Sequence, residues 1–220
     1  MLIHLLKKEF LVELRSKEIS ASMLTFGLAV ILIFSFSINV SPAVFQKFAP
    51  GLYWIMVLFI ADLGLHRMFS HEKEFDTFSM IISAPFDRGL IFLSKWLAGT
   101  AFLVIAELLI TAPFFLFLQL DIPVQWGRLI GIIILGNAGI MAIGSIVSGL
   151  AMRAKMSEVL LPILLFPLVS PNIIACVKAT TAIFDNQLFA TWQTWFQLMV
   201  TFTVVFGLAG YLFFDHITEE

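Results

Sequence analysis

Six long apolar runs, at roughly 21–38, 49–65, 97–119, 128–150, 158–177 and 194–214, take up most of this 220-residue chain. Each approaches the ~20 residues a helix needs to cross the ~30 Å hydrocarbon core of a bilayer. Backbone polar groups there must be satisfied within the segment, so the expected fold class is an all-α integral membrane protein with six transmembrane helices. Composition agrees, with 60% hydrophobic and 13% charged residues, where a soluble domain has ~45–50% and ~25%. A soluble chain of this length could not cover so much apolar surface with so few polar groups. A formal charge of −2 leaves no basic face to track a phosphate backbone, which excludes nucleic acid as a partner. The single cysteine, Cys176, reads as a small buried hydrophobe and can form neither an internal disulfide nor a thiolate cluster.

The first run follows a stretch rich in both charge signs and lacks a small-residue cleavage site, so it is read as a retained span and not as a signal peptide. Orientation follows from Lys and Arg, which stay preferentially in the cytoplasm. One orientation places Lys7, Lys8, Arg15, Lys17, Arg67, Lys73, Arg88, Lys95, Arg153 and Lys155 inside, and only Lys47, Arg128 and Lys178 outside. Both termini and the 66–96 connection are therefore expected in the cytoplasm. The whole of 1–220 reads as a single permease-like domain.

Residues 2–18 set Ile3, Leu6, Phe10 and Leu14 at spacings of three and four, with Lys7, Lys8, Glu9, Glu13 and Lys17 largely elsewhere around the helix. That pattern predicts an amphipathic interfacial helix over 1–20, the alternative being a cytoplasmic extension of the first span. The 66–96 connection reads HRMFSHEKEFD, then TFSMIISAP, then FDRGLIFLSK, helical up to Pro85, which should interrupt it. Phe75, Phe78, Ile81 and Ile82 recur at helical spacing. With a soluble partner the anchors would be Phe75, Phe78 and Met80, rimmed by Glu72, Glu74 and Asp76; the alternative is a plain surface helix. External connections, about 39–48, 120–127 and 178–193, are too short for a catalytic domain. Phe45, Phe48, Trp54, Trp126, Trp192 and Trp195 fall where aromatic side chains anchor to head groups.

Ionisable groups inside spans cost ~2.5–3.5 kcal/mol on insertion and mark candidate functional positions. Asp62, near the cytoplasmic end of the second span, either acts there or reaches the interface or Arg67. Glu107, near the middle of the third, must face protein or a water-filled cavity, as part of a polar path or as a hydrogen-bonded structural acid. In the fourth run Gly131, Gly136, Gly139, Gly144 and Gly149 mix with Ala138, Ala142 and Ser145, which suits close helix packing. Pro162, Pro167 and Pro171 predict that the fifth span is not a straight helix.

A G-x-x-x-x-G-K-[ST] phosphate loop is absent, so nucleotide hydrolysis would reside on a separate chain. His4, His66, His71 and His216 all fall on the cytoplasmic side, so a haem iron outside would find no histidine ligand here. No Ser, His and Asp constellation points to a hydrolase.

An amphipathic N-terminal helix, six spans and a charged helical connection between the second and third resemble the permease subunits of ABC exporters. More specifically, FAPGLYWIMVLFIADLGLHRMFSHEKEFDTFSMIISAPFDRGLIFLSKW is similar to the most characteristic segment of the cytochrome c maturation family CcmB, the haem exporter B proteins. The likeness extends over essentially the whole chain, including RAKMSEVLLPILLFPLVSP. The resemblance implies a transporter subunit of the bacterial inner membrane, not an enzyme. It would pair with a CcmA-type ATPase that holds ATP and Mg, and work with CcmC, CcmD and CcmE. Two roles are associated with the family: haem export, or use of ATP hydrolysis to release haem-loaded CcmE from CcmC. The lack of outward histidines and of a tryptophan-rich haem-handling motif favours the second.

By the same resemblance, 69–85 would dock into a groove of the ATPase, with Phe69, Glu72, Glu74, Phe75, Asp76, Phe78, Met80 and Pro85 as the coupling set. Two permeases and two ATPases would form the working unit, with Glu107 at the central dimer interface or cavity. EKEFDTFS departs from the family's more common acidic-glycine turn, so the shape of the coupling helix does not carry over. The rival readings are a proton-driven secondary transporter using Asp62 and Glu107, for which inverted repeats are lacking, and a passive membrane assembly scaffold.

Overall fold

The computed structural model describes residues 1–37, 41–74, 87–121, 123–152 and 157–218. Among them the regular elements are seven helices: α1 (Leu2–Ser16), α2 (Glu18–Ser37), α3 (Pro42–Glu74), α4 (Gly89–Phe117), α5 (Trp126–Ala151), α6 (Ser157–Phe184) and α7 (Phe189–Thr218). The last six are long and apolar enough to cross a bilayer. Helix continues well beyond the apolar runs, because intrahelical hydrogen bonds do not require a hydrocarbon environment. The 66–96 connection is therefore helical through Glu74 and again from Gly89, and the expected external stretch 178–193 shrinks to 185–188. At that turn Asn186 adopts a left-handed conformation (φ 53°). The Gln187 N–H then reaches back to the Ala182 carbonyl at 2.9 Å, closing the end of α6.

Helix α5 is the axis of the bundle and packs against α3, α4, α6 and α7. Its small residues permit this. A Cβ on Gly136 would lie 2.6 Å from the Trp54 ring and 2.7 Å from the Cys176 sulfur, and one on Gly139 would meet the Asn172 side chain. Gly131, by contrast, faces open space. Cys176 is buried among these side chains, as its apolar setting predicts. Helices α2 and α7 lie at the periphery and turn Leu32, Ile33, Phe36, Leu208, Leu212 and Phe213 outward, where lipid is the natural solvent.

Helix α6 runs continuously from Ser157 to Phe184 with Pro162, Pro167 and Pro171 inside it. Pro171 has no N–H to offer the carbonyl of Pro167, and the Ser170 hydroxyl donates to that carbonyl instead, at 2.8 Å. Among the aromatics, Phe48 and Trp126 are exposed as head-group anchors should be, whereas Phe45, Trp54 and Trp192 are buried. Trp54 sits in the core because its Nε1–H donates to Thr180 at 2.9 Å, which removes the need for an interfacial partner.

The N-terminal helix is separate from the first span. Lys17 is left-handed (φ 56°) and ends α1, which rules out a straight extension of α2. Its faces are arranged differently from the sequence expectation. Glu9 and Glu13 point into the protein, while Ile3 and Leu14 are 77% and 68% exposed.

Candidate functional site

Helix α3 has 33 residues and at ~1.5 Å per residue spans about 50 Å. Helix α4, with 29 residues, spans about 43 Å. Both exceed the ~30 Å hydrocarbon core. The chemistry of one end of the bundle lies in how the two helices leading to the 75–86 segment are held.

The α3 side is held by Lys95, on the first turns of α4. It is 1% exposed, and a lysine so deeply buried needs an anion. Its ammonium lies 3.1 Å from Glu9 Oε2 on α1 and donates to the Met68 carbonyl of α3 at 3.4 Å. The same ammonium stands 5.1 Å from the centre of the Phe69 ring, within cation–π range. One side chain thus ties together α1, α3 and α4. The other oxygen of Glu9 is 3.0 Å from Lys8 Nζ. Glu13, one turn further along α1, accepts the backbone N–H of Ile19 at 3.2 Å and of Ser20 at 2.8 Å. It therefore caps the positive end of α2 and fixes the elbow between the helices.

The α4 side is held by α7. Asp87 Oδ1 accepts the Gly89 N–H at 2.8 Å, capping α4, and its Oδ2 accepts the Tyr211 hydroxyl at 2.7 Å. Next to it, Arg88 Nε is 3.7 Å from Asp215 Oδ1. One support is buried and its charges are paired; the other is at the surface.

A second polar group lies within the spans. The Asn137 amide of α5 donates to Glu107 Oε2, while Glu107 Oε1 and Asn137 Oδ1 have no hydrogen-bond partner among the described residues. Thr111 donates to the Glu107 carbonyl at 2.7 Å, and its hydroxyl is 2.7 Å from that of Tyr53 on α3. Further bonds encircle α5. Trp96 Nε1 donates to Ala138 O at 2.8 Å and Asn172 Nδ2 to Gly136 O at 3.0 Å.

Of the residues expected from sequence, Phe69 is buried in the bundle, beneath the Lys95 ammonium. Phe75, Asp76, Phe78, Met80 and Pro85 lie outside the described residues. Glu72 and Glu74 complete α3, with their side chains outside the described set. Asp62 forms no ion pair with Arg67, and its Oδ1 is buried without a hydrogen-bond partner among the described residues. Glu107 is buried within the bundle and accepts the Asn137 amide. Sequence reading missed Glu9, Glu13 and Lys95 as a unit. The available signal was a helix with acids at positions 9 and 13, a lysine beside the third apolar run, and a need for pairing.

Six apolar spans on a small-residue axis, with an N-terminal helix bound to one end, define the class: an all-helical, multi-pass membrane permease. The profile of the CcmB protein family matches residues 1–212, and the chain belongs to that family. It is similar to heme exporter protein B of Haemophilus influenzae, 25% identical over 172 residues that cover 78% of this chain and 77% of the relative. The protein of the same name from Bradyrhizobium diazoefficiens is 26% identical over 162 residues, covering 72% of this chain and 71% of the relative.

Proposed function

We propose that this chain is the membrane permease subunit of an ABC-type system for cytochrome c maturation. A CcmA-type ATPase, carrying ATP and its magnesium ion, would dock on the 75–86 segment. Its hydrolysis cycle would be transmitted through the spans to release haem-loaded CcmE from CcmC, with CcmD as a further partner and a second permease completing the unit. The observation that carries this reading is the bracing of both helices leading to 75–86, by Lys95 on one side and by Asp87 and Arg88 on the other. A segment that transmits force needs supports of this kind. Family membership and the names of the relatives support the transport system as a whole. The distribution of Lys and Arg supports an inner-membrane orientation with both termini and 75–86 in the cytoplasm.

The relatives' name favours a second reading, in which haem itself crosses. The two readings part on the purified permease and ATPase complex. Release of CcmE predicts turnover that haem does not stimulate and a complex without haem absorbance; export predicts the opposite. Docking is tested by replacing Phe75 and Phe78 with Ala. Loss of ATPase co-purification is expected, and unchanged co-purification with unchanged stimulated hydrolysis sinks the docking role.

A further inference from the structure

We propose that the outer face of α1 is a binding site for anionic phospholipid headgroups in the adjoining leaflet. His4, Lys7, Lys8, Leu11 and Arg15 recur at helical spacing and, with Val12, line a shallow groove of about 310 Å³. Lys7 and Arg15 are exposed, and neither has an acidic side chain within ion-pair distance among the described residues. The two glutamates of the helix are withdrawn from this face. Glu9 is bound to Lys95, and Glu13 caps α2. Lys8 shares Glu9 with Lys95, so the site rests chiefly on Lys7 and Arg15.

The neighbouring stripe identifies the occupant. Ile3, Phe10 and Leu14 lie beside the basic groove and are exposed, with Phe10 touching the Phe102 ring edge-on at 5.0 Å. A helix with exposed apolar residues on one side and cations on the next lies in the interface, its apolar stripe in the acyl boundary and its cations at headgroup level. Ammonium and guanidinium donors at that depth meet phosphodiesters. Lipids with net negative charge are favoured over zwitterionic ones because Lys7 and Arg15 have no carboxylate within ion-pair distance among the described residues. A soluble anion would leave the apolar stripe without a role. This inference holds whatever the 75–86 segment binds.

The test uses the full chain purified in detergent. Retention of dioleoyl phosphatidylglycerol and of dioleoyl phosphatidylcholine is compared by native mass spectrometry. The wild-type chain is expected to prefer phosphatidylglycerol. K7Q/R15Q should reduce that preference by about thirty-fold, since each headgroup contact is a factor of about five. K7R/R15K keeps both charges and should retain the preference. K47Q removes an exposed lysine at the opposite end of the bundle and should change nothing. Equal retention of the two lipids by wild type overturns the proposal, as does an unaltered preference in K7Q/R15Q. Displacement of phosphatidylglycerol by millimolar inorganic phosphate would show a free-anion site and overturn it too. Because Lys7 and Arg15 are exposed, all variants should melt with wild type; should K7Q/R15Q melt lower, the single variants K7Q and R15Q carry the test, each with about a five-fold loss.

Discussion

Of the three glutamates buried among the described residues, Glu9 and Glu107 are held by different means. Glu9, at the end of the bundle, faces the ammonium groups of Lys95 and Lys8, one on each oxygen. Glu107, between the spans, has an amide donor on one oxygen and no partner on the other among the described residues. The first arrangement is a joint of paired charges among three helices, and the loss of Glu9 strands the buried Lys95. The second has no countercharge to strand, and belongs to a belt of hydrogen bonds that fixes α4, α5 and α6 around small residues. Burial alone therefore does not identify a functional acid. What matters is which elements its partners connect, and Glu9 connects those nearest the 75–86 segment.

The same chemical change at both sites tests this contrast most directly. Glu9→Gln leaves Lys95 buried without its anion and is expected to cost about 3–5 kcal/mol, read as a lower melting temperature of the purified chain. A Glu9→Leu, Lys95→Met pair should recover most of that loss, because apolar residues of similar volume replace both charges. Were Glu9→Gln to melt like wild type, the joint would not be structural. Next in size, Asn137→Leu removes the donor of Glu107 and should cost about 1–3 kcal/mol. A comparable loss, again about 1–3 kcal/mol, is expected for Gly144→Val, whose new side chain would collide with Leu65. Glu107→Gln keeps a polar partner for Asn137 and should shift stability by less than about 1 kcal/mol. A drop as large as that of Glu9→Gln would erase the distinction between the sites. Tyr211→Phe should leave the melting temperature unchanged, since its bond to Asp87 is at the surface. Its effect, if the α7 support transmits motion, is a lower ratio of permease-stimulated to basal ATP hydrolysis by the proposed ATPase partner.

The spans were legible because the bilayer imposes one requirement on every residue in it, and six apolar runs satisfy that requirement without reference to one another. The close approach of α5 was legible for the same reason, since small residues at 136, 139 and 144 have few other uses in a span. Pairings were not. Glu9 and Lys95 are 86 positions apart, and nothing local to either says that they meet. The pattern of α1 could also be read with its acids in water, because amphipathicity distinguishes apolar from polar but does not distinguish a polar residue facing solvent from one facing a buried cation. Trp54 and Trp192 were misplaced for a related reason. Their sequence positions near span ends suggest anchors, while their burial depends on which helix lies alongside, and Thr180 on α6 supplies the partner for Trp54. Ser170 shows the converse, a donor next to Pro171 whose hydroxyl takes up the Pro167 carbonyl.

The distance along the chain between Glu9 and Lys95 also sets an order of events during synthesis. The N-terminal helix leaves the ribosome early, but its buried partner follows 86 residues later, about 4–17 s at elongation rates of ~5–20 residues per second. During that interval Glu9 has no α4 to bind and must stay hydrated. Helix α1 therefore takes its final place only after the third span has been made, and its docking closes the nascent bundle at one end.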